Sequence, residues 1–170
     1  MKTAVVFFSR TQTTEKIAKK IAEELNGELL KVRTHFYPTT IGGYVRALRH
    51  VFSKTLPPIE TGNWVLDKYD LVIIGTPVWG GRMSAPIRSF LVQHRQELKN
   101  VAYFATCGGR GADAVIKKMA ELTQIAPIAS MKITASDISD SSYKIRVADF
   151  VDEIRHGKSH AAAHSLILQT

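Results

Sequence analysis

Three short stretches of this chain gather side chains that can hold a small ligand. In the first, Ser9, Arg10, Thr11, Gln12, Thr13 and Thr14 interrupt an apolar run and precede a helical pattern. The start of a helix presents free N–H groups and the positive end of its dipole. Hydroxyl donors beside it can hold a phosphate without a lysine or a metal, or can simply cap the helix. The second stretch is Thr76, Pro77, Val78, Trp79, Gly80 and Gly81. Its indole is either a flat π surface for a ligand or a cover folded over the sheet edge, and its two glycines allow close backbone approach. The third is Cys107, Gly108, Gly109, Arg110 and Gly111, again rich in accessible N–H groups. Its Gly109-x-Gly111-x-x-Ala114 spacing imitates a dinucleotide fingerprint, but that fingerprint belongs to the first strand–helix unit and needs an acidic residue about 20 positions on. No GxxxxGK[ST] phosphate loop occurs.

Alternating strand and helix patterns must position these stretches. Residues 2–8, 28–34, 69–75, 101–106 and 128–134 read as strands. Helical faces follow from Ile17, Ala18, Ile21, Ala22 and Leu25; from Tyr44, Val45, Leu48, Val51 and Phe52; and from Ile87, Phe90 and Leu91, with Ser84 as the expected cap. Two more follow from Val115, Ile116, Met119 and Leu122 and from Val147, Phe150, Val151 and Ile154. Five strands alternating with five helices predict an α/β fold. Its form is a doubly wound five-stranded parallel sheet with helices on both faces. Ligands of such sheets bind beyond the carboxyl ends of the strands, where the strand order reverses. The three stretches follow strands one, three and four.

The chain has 170 residues, the size of one domain, read as residues 1–156 with a frayed tail at 157–170. The apolar run near the N-terminus is too short for a signal-peptide core, and no apolar run approaches a membrane span. One cysteine cannot form an internal disulfide, which points to a reducing cytoplasm. Cys107 is either a redox thiol or a packed small side chain; without a second cysteine the latter is expected. The net charge of +8 permits several anionic partners. The Lys and Arg residues are spread over several helices with no recognition motif, so no nucleic-acid partner is expected. His156, His160 and His164 stand at the spacing of ligands on one helix face, but Gly157 and the carboxylate-poor tail argue against a metal. The basic stretch from His35 to Lys54 reads as a solvated helix, and Asp137 and Asp140 as turn and cap residues.

Taken in order, "SRTQTTEKIA", "GTPVWGGRMSAPIRSFL" and "ATCGGRGADAVIKKMAEL" resemble the three FMN-binding loops of the flavodoxin-like family, and the likeness runs to about Ile154. The resemblance implies strand order 2-1-3-4-5 and a noncovalent FMN. Ser9 to Thr14 would bind the phosphate, and Thr76 to Gly81 would run along the ring and ribityl chain with Trp79 stacked on the isoalloxazine. Cys107 to Gly111 would flank the pyrimidine edge. The chain departs from the family in two ways. Gln12 stands where the family often has Gly, a strain of roughly 1 kcal/mol if that position needs a positive φ. The chain is also basic, with Arg10, Arg82 and Arg110 in or beside the loops, where electron-shuttling relatives tend to be acidic. Two roles remain open. One is electron transfer to a redox partner protein or small acceptor. The other is an FMN oxidoreductase that takes hydride from NAD(P)H and reduces a quinone or similar acceptor. The motifs single out no catalytic residue.

Overall fold

The computed structural model describes residues 1–35, 42, 49 and 56–167, the last ten by backbone alone. Five strands run parallel: β1 (Thr3–Phe7), β2 (Glu28–Lys31), β3 (Leu71–Trp79), β5 (Val101–Cys107) and β6 (Ser130–Thr134). They lie in the order β2-β1-β3-β5-β6, with the two-residue β4 (Arg82–Met83) antiparallel to β3. Counting parallel strands alone, this is the expected order 2-1-3-4-5. The helices are α1 (Thr13–Leu25), α2 (Ala85–His94), α3 (Ala112–Thr123), the short α4 (Ala135–Ser139) and α5 (Tyr143–Ile167). The helix expected around Tyr44, Val45, Leu48, Val51 and Phe52 falls outside the described residues, apart from Arg49.

Side chains alternate across the sheet because successive residues of a strand face opposite sides. Val5, Phe7, Leu71, Ile73, Phe104 and Ile133 face Ile17 and Ile21 of α1 and Val147, Phe150 and Ile154 of α5. Ala4, Val6, Val72, Ile74, Tyr103 and Ala105 face Ile87, Phe90 and Leu91 of α2 and Val115 and Met119 of α3. Both faces of the parallel strands are covered, which is why they read as continuous apolar runs. Tyr103 keeps its buried hydroxyl paired with Thr123 Oγ1 at 2.6 Å, and burial pushes that phenol up to about 12.

Several elements differ from the sequence reading. The third strand continues past Gly75 to Trp79, so four of the six residues of the second stretch are strand. Pro77 is tolerated there because pairing with β1 ends at Phe7 and Gly75, leaving that edge of β3 without a ladder to break. Ser84 does precede α2, but its hydroxyl lies 3.0 Å from Thr76 Oγ1 and makes no cap bond. α4 was not foreseen. Its N-cap is Thr134, whose hydroxyl accepts from the Asp137 N–H, while the Thr134 N–H donates to the Asp137 carboxylate at 2.7 Å. α5 continues through Gly157 to Ile167.

Gly75 faces Phe104 across the β3–β5 ladder, and a Cβ at Gly75 would stand 2.0 Å from the Phe104 ring. Gly75→Ala is therefore expected to cost about 3 kcal/mol, read as a lower urea midpoint at unchanged slope; an unchanged midpoint contradicts this packing.

Asp137 is buried, and its bonds from the Thr134 backbone and hydroxyl, Arg146 Nε and Ser142 hold its carboxyl at about 2 instead of 3.8. A depressed folded-state value contributes stability above pH 4 that is lost as pH falls toward 2. The wild type is expected to lose about 2 kcal/mol through that window that Asp137→Asn does not lose, measured by denaturant unfolding at pH 6, 4 and 2.5. Parallel losses in the two proteins would remove Asp137 from the account.

Candidate functional site

The first ligand stretch leaves β1 and enters α1 through Gln12, the N-cap, which adopts φ 67 with no side-chain cap bond. The suspected positive φ is thus present, carried by a residue other than glycine at a modest strain. Lys16 N–H donates to Gln12 O at 2.8 Å and starts the helical ladder. The hydroxyls are consequently not used to cap α1. Thr14 Oγ1 lies 2.8 Å from Thr106 Oγ1 in a buried pair that ties the helix start to the end of β5. Ser9 Oγ is buried and has no hydrogen-bond partner among the described residues. A buried hydroxyl left without a partner costs free energy of about 1–3 kcal/mol.

The second stretch forms a tight hairpin. Trp79 pairs with Arg82, and the intervening Gly80 and Gly81 have φ of 54° and 73°. Two positive φ values in a two-residue loop are the requirement of a type I′ turn. The hairpin therefore demands these glycines in its own right. Trp79 packs edge-on against Phe8, with ring centroids 5.5 Å apart and planes at 88°. Thr76 is fully buried, and its hydroxyl accepts from the Ser84 N–H at 3.1 Å, so that side chain anchors α2.

The third stretch leaves β5 at Cys107 and ends at Gly111, the N-cap of α3 with φ 93. A Cβ on Gly111 would stand 3.1 Å from Gly81 Cα and 3.4 Å from Val78 Cγ1. The second and third stretches thus meet backbone to backbone.

All three stretches border one cleft of about 350 Å³ at the carboxyl ends of β1, β3 and β5. Arg10, Thr11, Thr13 and Thr14 line one side, with Pro77, Val78, Trp79, Cys107 and Gly108 across from them. Thr106, Ala135 and Ile138 complete the lining and were not singled out from sequence. Gln12 borders an adjoining groove with Lys16 and Lys19. Gly80 and Gly81 face a different cavity, on the far side of the hairpin. Gly109 and Arg110 are exposed beyond the cleft. Ala135 and Ile138 come from α4, whose position the Asp137 cap fixes.

The charge near the cleft is set by pairing. Glu15, in the first turn of α1, accepts from Lys31 Nζ at 2.6 Å and lies 3.2 Å from Lys19 Nζ. The Lys31 ammonium beside it holds its carboxyl below the usual range. Its negative charge is compensated, and Arg10 adds a cation to the cleft wall. Cys107 is half-buried at the cleft edge. Among the described residues no group of three or more His, Cys, Asp or Glu side chains could hold a metal. His156 instead places Nδ1 2.8 Å from Asp152 O; the side chains of His160 and His164 lie outside the described residues.

No helix among the described residues is long and apolar enough to cross a membrane. A comparison with curated proteins gave no match. Solved structures are similar over most of the chain. A flavoprotein from Lactobacillus acidophilus NCFM, determined in complex with FMN, is 27% identical with a TM-score of 0.68, covering 83% of this chain and 98% of that one. The apo form of the flavoprotein from the same organism, solved by NMR, is 28% identical with a TM-score of 0.63, covering 81% and 95%. Oxidised Flavodoxin 1 from Bacillus cereus shares the fold at 18% identity and a TM-score of 0.55, covering 89% and 98%. The family model described as Flavodoxin matches residues 2–154, nearly the whole span from the first strand to the last helix, and the chain belongs to that family.

Proposed function

We propose that the chain binds FMN noncovalently in the cleft between its three loops and passes electrons through it to a redox partner. The observation that carries this reading is the buried, unpartnered Ser9 hydroxyl beside the start of α1. It is a donor kept out of water with nothing of its own to bond, in the stretch that leads into the first turn of α1, whose N–H groups the helix cannot satisfy internally. Ser9 itself is not among the residues lining the cleft, but its neighbours Arg10 and Thr11 are. A terminal phosphate is the group that suits such a place. The similar flavoprotein from Lactobacillus acidophilus, solved with FMN, supports the same choice.

In this reading Ser9, Thr11 and Thr13 donate to the phosphate, and Arg10 offsets its charge. Thr14 is committed to Thr106 and fixes the helix start instead. Trp79 and the backbone of Pro77 and Val78 present the surface for the ring, with Cys107 and Gly108 at its edge. Ile138 and Ala135 add apolar contact at the α4 side of the cleft. Bound FMN supplies the capacity to accept and release electrons; the protein supplies its orientation and its electrostatic surroundings.

A fluorescence titration tests the phosphate assignment. Riboflavin is expected to bind more weakly than FMN by several kcal/mol, at ~1.5–3 kcal/mol per charge-assisted bond. Ser9→Ala is expected to lower FMN affinity about tenfold, equivalent to ~1.4 kcal/mol, with apo stability unchanged or raised, because the lost hydroxyl has no partner to lose. In the same titration FMN should quench Trp79 emission. Trp79→Ala should remove that quenching while Trp64, which packs near Phe90 away from the cleft, still emits. Equal affinities for FMN and riboflavin would dismiss the assignment.

Electron transfer to a partner is separated from hydride chemistry by anaerobic mixing of the FMN-loaded protein with NADPH. The flavin absorbance is expected to persist over seconds; stoichiometric bleaching in that time would make the chain an NADPH-dependent enzyme instead.

A further inference from the structure

Two buried hydroxyls in the cleft wall share one hydrogen bond between them. Thr14 Oγ1 and Thr106 Oγ1 stand 2.8 Å apart, and the two residues are 1% and 5% exposed. Both line the cleft. Each hydroxyl carries one proton, and a single hydrogen bond uses one of the two. Among the described residues neither oxygen has a further hydrogen-bond partner. The pair therefore keeps one O–H that bonds to nothing in the chain, and burial denies it most of its access to water. Leaving a buried donor in that state costs free energy that an acceptor brought by a ligand recovers.

The field of α1 decides which proton is left over. Thr14 is the second residue of α1, so its oxygen lies beside the free N–H groups and the positive end of the helix dipole. That field turns the oxygen lone pairs toward the helix and the proton away from it, toward Thr106. Thr14 is then the donor and Thr106 the acceptor, and the uncommitted proton belongs to Thr106. The place of Thr106 in β5 fits a ligand contact. Ala102 and Phe104 precede it on the same face of the strand, buried with Ile17 of α1 and Val147 of α5. Thr106 is where that apolar face turns polar, and it does so at the cleft. We infer that Thr106 is a ligand-binding residue whose hydroxyl donates to an oxygen of the FMN phosphate. The inference rests on the reading that the cleft holds FMN, and it adds a donor from outside the hydroxyl-rich loop. The acceptor is the phosphate because the proton lies one hydrogen-bond length from the first turn of α1, where an anion is favoured. A phosphate also has oxygens enough to accept from Thr106 together with the loop hydroxyls. Thr106 thereby becomes a determinant of the preference for FMN over riboflavin.

Fluorescence titrations with FMN and with riboflavin, beside urea unfolding of the apo chain, test this on three variants. Thr106→Val keeps the shape and removes the proton. Thr106→Ser keeps the proton. Thr14→Val breaks the same pair but leaves Thr106 its hydroxyl. Thr106→Val is expected to lose about tenfold in FMN affinity and less than about twofold in riboflavin affinity. Thr106→Ser should keep the preference for FMN to within about threefold of the wild type. Thr14→Val should lose less than about threefold in FMN affinity, while the apo urea midpoints of the two valine variants shift alike. If Thr106 served only to hold the start of α1, the two valine variants would lose FMN affinity equally, and that result overturns the inference. So does a full preference for FMN in Thr106→Val, an equal loss of FMN and riboflavin, or a failure of Thr106→Ser to retain the preference. A wild type that binds the two flavins equally dismisses the phosphate reading itself, and this inference with it; a wild type that prefers FMN beside an unaffected Thr106→Val dismisses this inference alone.

Discussion

The close stacking of Phe104 on Gly75 is the contact on which the rest of the sheet depends. β3 is central, pairing with β1 on one side and β5 on the other. Any side chain at Gly75 would meet the Phe104 ring, so the β3–β5 ladder closes only because that Cβ is missing. The register it sets carries forward residue by residue: Thr76 opposes Ala105 and Pro77 opposes Thr106. Thr106 in turn holds Thr14 at the start of α1. One missing methyl in the core thus fixes how the ends of β1, β3 and β5 stand relative to one another, and the cleft is the space between those ends.

From that register the site assembles with little further instruction. The chain turns back after Trp79 because Gly80 and Gly81 permit a type I′ turn, and the returning residues deliver Ser84 to Thr76. α2 therefore starts from the sheet itself. Gly111 begins α3 in contact with Gly81, so the hairpin tip and the third loop support each other. The hairpin is a partition with a cleft on one side and a second cavity on the other, and its geometry is shared by both.

The parallel strands and the convergence of three loops were legible in the sequence, because each rests on local signals: apolar runs, helix periodicity and loop composition. The strand order was legible only through the family resemblance. Gln12 was legible as a strained position only because the family it resembles often has Gly there, and it is left-handed in the structure. The hairpin was missed although its signal was present, since Gly-Gly between Trp79 and Arg82 was read as room for a ligand and Pro77 as the end of a strand. Ser84 was read as a cap because hydroxyls before helices usually are; its partner, Thr76, comes from tertiary structure. Asp137 was rightly taken for a cap residue, but the short helix it caps has too few residues to show a period. Thr106 and Ile138 carried no signal at all. Each matters only for what lies opposite it across the cleft, which no local pattern encodes.

Charge shows the same dependence on tertiary pairing. A carboxylate in the first turn of α1 favours the helix, since it complements the positive end of the dipole. A phosphate at the same end would use that same field, and an unpaired Glu15 would repel it. The conflict is removed from outside the helix: Lys31, on the neighbouring strand, takes one oxygen of Glu15, and Lys19, one turn on, takes the other. Glu15 can then support the helix in the absence of ligand without opposing an anion when one arrives. The parallel crossover from β1 through α1 to β2 is what brings Lys31 alongside Glu15. The anion-binding character proposed for the loop would therefore belong to the βαβ unit as a whole, not to its hydroxyl-rich sequence alone.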